Sequence, residues 1–101
     1  MIMDIRNRLL LLNILPSEGT LSEMVDIYDL ARELKLSDEE KAEVSYIENN
    51  NYVKWDFDKD PNKEIKISGD QMKIVKETID KLDKQGKIKL EMIPLIKEWL
   101  I

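Results

Sequence analysis

The sequence predicts an α+β domain in which an N-terminal helical hairpin, a three-stranded antiparallel β-meander and two C-terminal helices share a single core over residues 1–101. Three observations carry this expectation. Apolar residues recur at helical spacing in residues 5–36 and again in residues 72–82. Between these blocks the period changes to strict alternation. Capping patterns of the type Ser/Thr-x-x-Glu/Gln at Thr20–Glu23, Ser37–Glu40 and Ser68–Gln71 are each read as a helix start.

From Asp4 to Leu15 the residues Ile5, Leu9, Leu10, Leu11, Leu12, Ile14 and Leu15 give a broad apolar helical face, with Arg6, Arg8 and Asn13 left polar. Pro16 cannot continue this helix, and Ser17-Glu18-Gly19 supplies a turn. From the Thr20 cap a second helix runs to about Leu36, carrying Leu21, Met24, Ile27, Tyr28, Ala31 and Leu34. The short connection predicts an antiparallel hairpin packed through Leu9, Leu12, Met24, Tyr28 and Ala31. After Ser37 only a turn or so of helix fits before the pattern changes near Glu43. Val44 and Tyr46 then alternate with polar residues, Asn49-Asn50-Asn51 tolerate positive φ, and Val53, Trp55 and Phe57 share a strand face. Past the turn-forming residues 58–62, Ile65 and Ile67 are expected to pair back onto that face and complete the meander, with helices covering one side of the sheet. Ser68 caps a fourth helix with a stripe of Met72, Val75, Ile79 and Leu82, ending at Gly86. A last helix holds Ile93, Leu95, Ile96, Trp99 and Leu100, and Pro94 fits it only in a first turn. Trp55 and Trp99 are read as core, and Tyr52 as exposed.

Composition narrows the functional classes. Hydrophobic residues at 43% and charged residues at 37% suit a folded domain, because enough apolar surface is present to build a core. The chain has no Cys, so a reducing cytoplasm is the expected setting. With no His either, Ser-His-Asp and Cys-His catalysis and the common zinc sites are absent. No glycine-rich phosphate loop occurs, and no cofactor is expected. The apolar run from Leu9 to Leu15 falls well short of the roughly 20 residues of a membrane span, and the turn after it lacks a leader-cleavage pattern, so no membrane association is expected.

Two motifs have a bland reading that outweighs the functional one. Asp56, Asp58 and Asp60 have the opening spacing of a calcium-binding loop, but Pro61 stands where a glycine belongs and Ile67 where a bidentate glutamate belongs. A solvated acidic turn is therefore expected, with weak cation binding at Asp58, Asp60 and Glu64 as the minor alternative, and no metal site is assigned. Lys73, Lys76, Lys81, Lys84, Lys87 and Lys89 recur on and after the fourth helix, interleaved with Glu77, Asp80 and Asp83. A salt-bridged solvent face is expected there, and a small nucleic-acid regulator using residues 73–89 is the alternative. A winged-helix arrangement would place its recognition helix in the most acidic part of the chain, where charge opposes docking to phosphates.

The net charge of −5 is unevenly spread. Residues 18–48 hold ten acids against three bases, a net −7, while the rest of the chain carries +2. Glu23, Asp26, Asp29 and Glu33 are expected on the outer side of the second helix, and Asp38, Glu39, Glu40 and Glu43 extend the negative surface. Such a surface repels nucleic acid and attracts a basic protein. Its bland reading is solubility and compensation of helix dipoles. The residues assigned to partner binding are Glu23, Asp26, Asp29, Glu33, Asp38, Glu39 and Glu40, with Tyr52 as an exposed aromatic anchor.

The segment Asn7–Gly19, the acidic Leu36–Glu40 stretch, the Val53-Lys54-Trp55-Asp56 strand and the closing two-helix segment together resemble small proteins encoded by phages and prophages. The resemblance implies a setting, a mobile element's accessory protein acting in a bacterial host cytoplasm, and the acidic surface makes a host protein the expected partner. It brings no catalytic residues. A non-enzymatic interaction module is therefore the expected function, with nucleic-acid regulation or self-assembly, such as a homodimer, as alternatives.

Overall fold

The capping patterns at Thr20, Ser37 and Ser68 are all realised as helix starts. In the computed structural model, which describes the backbone of residues 1–100 and the side chains of residues 1–98, Thr20, Ser37 and Ser68 each accept the backbone N–H three residues on, and Glu23, Glu40 and Gln71 each accept the N–H of the cap. These reciprocal bonds satisfy backbone groups that no helix can satisfy internally. They open α2 (Leu21–Leu34), α3 (Asp38–Glu43) and α4 (Gly69–Lys84). The first helix, α1 (Ile5–Ile14), begins at Asp4, whose Oδ1 accepts the Asn7 N–H at 2.8 Å. The last, α5 (Ile93–Leu100), has Pro94 in its first turn and follows a 3-10 turn over Leu90–Met92. The core reading of Trp99 lies outside the described residues, as do Leu100 and Ile101 beyond the backbone of α5.

The helix ends show the same local chemistry with one surprise. After α4, Gly86 turns to φ +66°, the Gly86 N–H reaches the Asp83 carbonyl at 3.0 Å, and the Lys87 N–H reaches the Leu82 carbonyl at 2.8 Å. This is the Schellman arrangement that glycine favours. The same arrangement closes α3, where Ser45 stands at φ +54° and the Tyr46 N–H reaches the Lys41 carbonyl at 2.8 Å. Holding a serine in the left-handed region costs about 1 kcal/mol, so no residue pattern announced it. It removes Val44 and Tyr46 from the expected strand: Val44 is the buried C-cap of α3.

The fold is α+β with two small antiparallel sheets, and the three-stranded meander is corrected. The strands β2 (Ile47–Glu48) and β3 (Val53–Lys54) form a hairpin whose turn is closed by the Asn49 N–H on the Tyr52 carbonyl at 2.9 Å. Among non-glycine residues positive φ falls on Ser45 and Asn62, and not on Asn49–Asn51. The third expected strand goes elsewhere. Strand β4 (Lys63–Glu64) pairs with an N-terminal strand, β1 (Ile2–Met3), in the register Ile2↔Glu64 and Met3↔Lys63. The Met1 ammonium donates to Glu64 Oε1 at 2.7 Å and to the Ile65 carbonyl at 2.9 Å, and the Ile65 N–H donates to the Met1 carbonyl. The pairing wins because it brings Met3 and Ile65 into the core, where both are fully buried. Phe57 lies instead in a 3-10 turn over Phe57–Lys59 and is 72% exposed. The Asp60 carboxylate ties this loop down by accepting the Ile5 N–H at 2.9 Å and the Asn62 N–H at 3.1 Å.

Helices supply most of the core. Leu11 and Ile14 of α1, Leu30 and Leu34 of α2, Val75 and Ile79 of α4, and Leu95 of α5 pack with Met3, Ile65 and Met92 in one cluster. The hairpin of α1 and α2 forms, but the residues at its contact change. Leu30 is buried, while Tyr28, expected inside, is 64% exposed. On α1 the buried line is Ile5, Arg8, Leu11 and Ile14, so Arg8 leaves the polar face assigned to it and enters the interior. Trp55, read as core, is half-buried, stacks beside Tyr46 at 6.4 Å between ring centroids and meets Phe57 edge-on at 5.0 Å. The β2–β3 hairpin lies outside the helical core and the β1–β4 pair contributes only Met3 to it, so no broad sheet face covered by helices exists among the described residues.

Candidate functional site

The acidic residues of the second helix differ in exposure and in the contacts they make. Glu23 is used by its own helix: its carboxylate accepts the Thr20 N–H at 3.2 Å, and hydrogen bonding with Thr20 holds its pKa below the usual carboxylate value. Asp26 is half-buried, and its carbonyl accepts Gln71 Nε2 of α4 at 3.0 Å. Both carboxylates line a groove between α2 and α4 with Asp70, Lys73 and Glu77. Asp29 and Glu33, one turn apart, are exposed. Glu33 has a loose ion pair at 3.9 Å with Lys63 Nζ, which also donates to the Glu33 carbonyl at 3.3 Å. Asp38 and Glu39 are exposed in the first turn of α3, where negative charge complements the helix N-terminus. Tyr52 is exposed, 57% accessible, on the separate β2–β3 hairpin.

Glu40 is half-buried and tied to the fold by Arg8. Arg8, with no exposed surface, donates through Nη1 to Glu40 Oε2 at 2.6 Å and through Nη2 to Glu40 Oε1 at 3.2 Å. The same guanidinium donates through Nε to the Leu34 carbonyl at 3.1 Å and through Nη2 to the Lys35 carbonyl at 2.9 Å. One side chain of α1 thus satisfies the C-terminal carbonyls of α2 and the capping carboxylate of α3. The planar five-donor fork of arginine suits this task, and lysine would not reach all three acceptors. Locally, Glu40 also accepts the Ser37 N–H at 3.0 Å.

The Arg8 hydrogen bond is the main reason the Glu40 carboxyl is lowered from 4.5 to about 2, against the opposing effect of burial. Because the folded value lies below the unfolded one, the stabilisation is complete above about pH 4.5 and is lost as pH falls toward 2. The amount is on the order of 2–3 kcal/mol after allowance for solvent screening. Urea unfolding between about pH 5 and pH 2.5 is expected to show a steeper loss for the wild type than for Glu40→Gln. Parallel curves would remove Glu40 as the acid-sensitive group.

Sequence reasoning missed an exposed apolar line on α2. Leu21 (84% exposed), Val25 (52%) and Tyr28 (64%) face solvent, and the Arg32 guanidinium lies 5.9 Å from the Tyr28 ring centroid. At 100° per residue these four positions fall within about 60° of one another, opposite the buried line of Ile27, Leu30 and Leu34. The 4-3-4 spacing was visible in the sequence, but α2 carries two apolar lines, and only packing decides which one is covered. The β2–β3 region adds Ile47, Tyr52 and Phe57 as exposed apolar residues. Tyr46 beside it has its pKa raised by burial and by the charge of Glu48, and Lys41 Nζ lies 5.5 Å from its ring centroid.

The remaining motifs are placed as follows. Asp60 and Glu64 hold the backbone and the Met1 ammonium, which leaves those carboxylates committed within the protein. Among the described residues no three or more acidic side chains gather as a metal site, and no helix is long and apolar enough to cross a membrane. Of the lysine pairs expected along α4, Asp80–Lys84 forms at 3.0 Å on an exposed surface, a contact of about 0.3–0.5 kcal/mol. An apolar groove between α4 and α5 is lined by Ile79, Ile88, Ile93 and Ile96. In comparison with known proteins, the chain matches no family model, no curated protein and no solved structure.

Proposed function

We propose that the protein is a non-enzymatic interaction module that binds a basic protein surface through α2 and α3. The observation that carries this reading is the juxtaposition, along α2, of exposed carboxylates with exposed large apolar side chains. Asp29 and Glu33 run beside Val25 and Tyr28, and Asp38 and Glu39 follow on α3. Interfaces of this composition recruit a partner electrostatically and hold it by burying aromatic and aliphatic anchors. The net −7 of residues 18–48 supplies the long-range attraction. Glu40 leaves the set of contact residues because Arg8 holds it, and Glu23 and Asp26 serve the fold and the α2–α4 groove first. The resemblance to phage and prophage proteins suggests a host protein as the partner and a bacterial cytoplasm as the setting.

The test is capture from a nuclease-treated bacterial lysate by the tagged protein and by its Asp29→Lys, Glu33→Lys, Glu39→Lys variant. These three side chains are exposed, so the reversal leaves the core intact. A basic protein retained by the wild type is expected to fall about tenfold or more with the variant, and retention is expected to weaken with salt. Equal retention by both proteins would count against this surface, and retention of nucleic acid alone would favour the lysines of residues 73–89.

A further inference from the structure

Building on that reading, we infer that the outward line of α2 is a seat for a basic amphipathic helix of the partner. Leu21, Val25, Tyr28 and Arg32 are spaced 4, 3 and 4 residues apart, the spacing that aligns side chains along one helix for packing against another. From Leu21 to Arg32 the line covers about 16 Å, three helical turns, at 1.5 Å per residue. Its apolar members are more than half exposed, so docking would bury surface that the monomer leaves in water. The Arg32 guanidinium lies 5.9 Å from the Tyr28 ring centroid, a cation–π contact that favours this placement of the ring in the free protein. An ordered aromatic loses little further entropy on binding.

The charge around the line selects the occupant. Asp29 and Glu33 border it on one flank, and Asp38 and Glu39 lie beyond its C-terminal end. A second copy of the chain would bring another region of net −7 against the first, which disfavours self-pairing. A helix carrying apolar residues on one face and Lys or Arg along its border meets both features, with its apolar ridge on Leu21, Val25 and Tyr28 and its cations toward Asp29 and Glu33. Register and direction then follow from the single basic residue on the line, Arg32, which repels a cation placed opposite the C-terminal end and leaves that position for an apolar or acidic side chain.

The experiment uses the full chain, labelled with 15N, and three synthetic peptides of about 18 residues, long enough to cover the three turns. One is a Leu/Lys sequence with helical amphipathic spacing. The second has the same composition arranged in alternation, and the third keeps the leucines of the first with Glu in place of Lys. The first peptide is expected to bind, with amide shifts confined to residues 20–36, and the second and third about tenfold or more weaker. Val25→Ser with Tyr28→Ser is expected to reduce binding of the first peptide about tenfold, with Leu21→Ser as a second variant if the double one loses its dispersed spectrum.

Equal binding of the alternating peptide, unchanged binding by these variants, shifts centred on another element, or no binding of any peptide would each overturn the helix seat. A concentration-dependent dimer abolished by Val25→Ser with Tyr28→Ser would overturn it as well, in favour of a second copy. None of these outcomes touches the charge-reversal capture result, so the broader reading stands or falls separately.

Discussion

Arg8→Ala is expected to remove about 3–5 kcal/mol of stability, about a fifth or more of what a domain of this size usually possesses. The cause is the number of groups left behind. Arg8 is fully buried and donates to two carbonyls and both oxygens of Glu40, so its removal orphans the end of α2 and the cap of α3 together. Each buried acceptor without a donor costs about 1–3 kcal/mol, and the truncated stem adds a cavity. Urea unfolding of the wild type, Arg8→Ala, Glu40→Gln and the double variant closes a thermodynamic cycle. A coupling of more than about 1 kcal/mol is expected between the two positions. Losses below about 1 kcal/mol for Arg8→Ala would show that water satisfies the carbonyls and that the fork is dispensable. Arg8→Met should lie between the two, since it keeps the volume and removes the charge while still orphaning the Leu34 and Lys35 carbonyls.

Leu30→Ala is expected to cost about 2–5 kcal/mol, and Tyr28→Ala, two residues away on the same helix, no more than about 0.5 kcal/mol. Leu30 is fully buried in the cluster with Leu11, Leu34 and Val75, where removing three carbons leaves a cavity that close-packed neighbours cannot refill. Tyr28 is 64% exposed, and the interaction its removal breaks at the surface is the cation–π contact with Arg32. Thermal unfolding separates the two readily, because about 1 kcal/mol shifts the midpoint by some 4–8 °C in a chain of this length. Comparable losses at both positions would mean that Tyr28 is packed inside, as the helical spacing first suggested, and would also remove the basis for a docking line on α2.

The contrast between these two residues shows where sequence reading reached its limit. Helix α2 carries Leu21, Val25 and Tyr28 on one line and Ile27, Leu30 and Leu34 on another, and both lines have helical periodicity. Periodicity proves a helix without saying which side is covered. Similarly, Arg8 sits among leucines, and a charged residue there reads as the polar edge of the helix. Its burial depends on carbonyls and a carboxylate that are 26 to 32 residues away in the chain. Asp29, Glu33, Asp38 and Glu39 were legible as exposed acids because solvated carboxylates need no partner. Glu40 was not distinguishable from them, since its distinction is contact with Arg8.

By itself the sequence determined the features that close within a few residues. The starts at Thr20, Ser37 and Ser68, the stop at Gly86 and the place of Pro94 in a first turn are all of this kind, because capping bonds join positions only three to five apart. Tertiary structure alone decided the partner of residues 63–65. Alternation at Ile65 and Ile67 predicts an extended segment but is equally satisfied by pairing with residues 53–57 or with the N-terminus. The second pairing prevails because it buries Met3 and Ile65 with the helices and lets Asp60 cap α1. Ser45 follows the same logic, since burial of Val44 holds a non-glycine residue in a conformation its own preferences oppose. Local hydrogen bonds are written in neighbouring residues, whereas burial is a property of the whole chain, so the helix boundaries were legible and the covered faces were not.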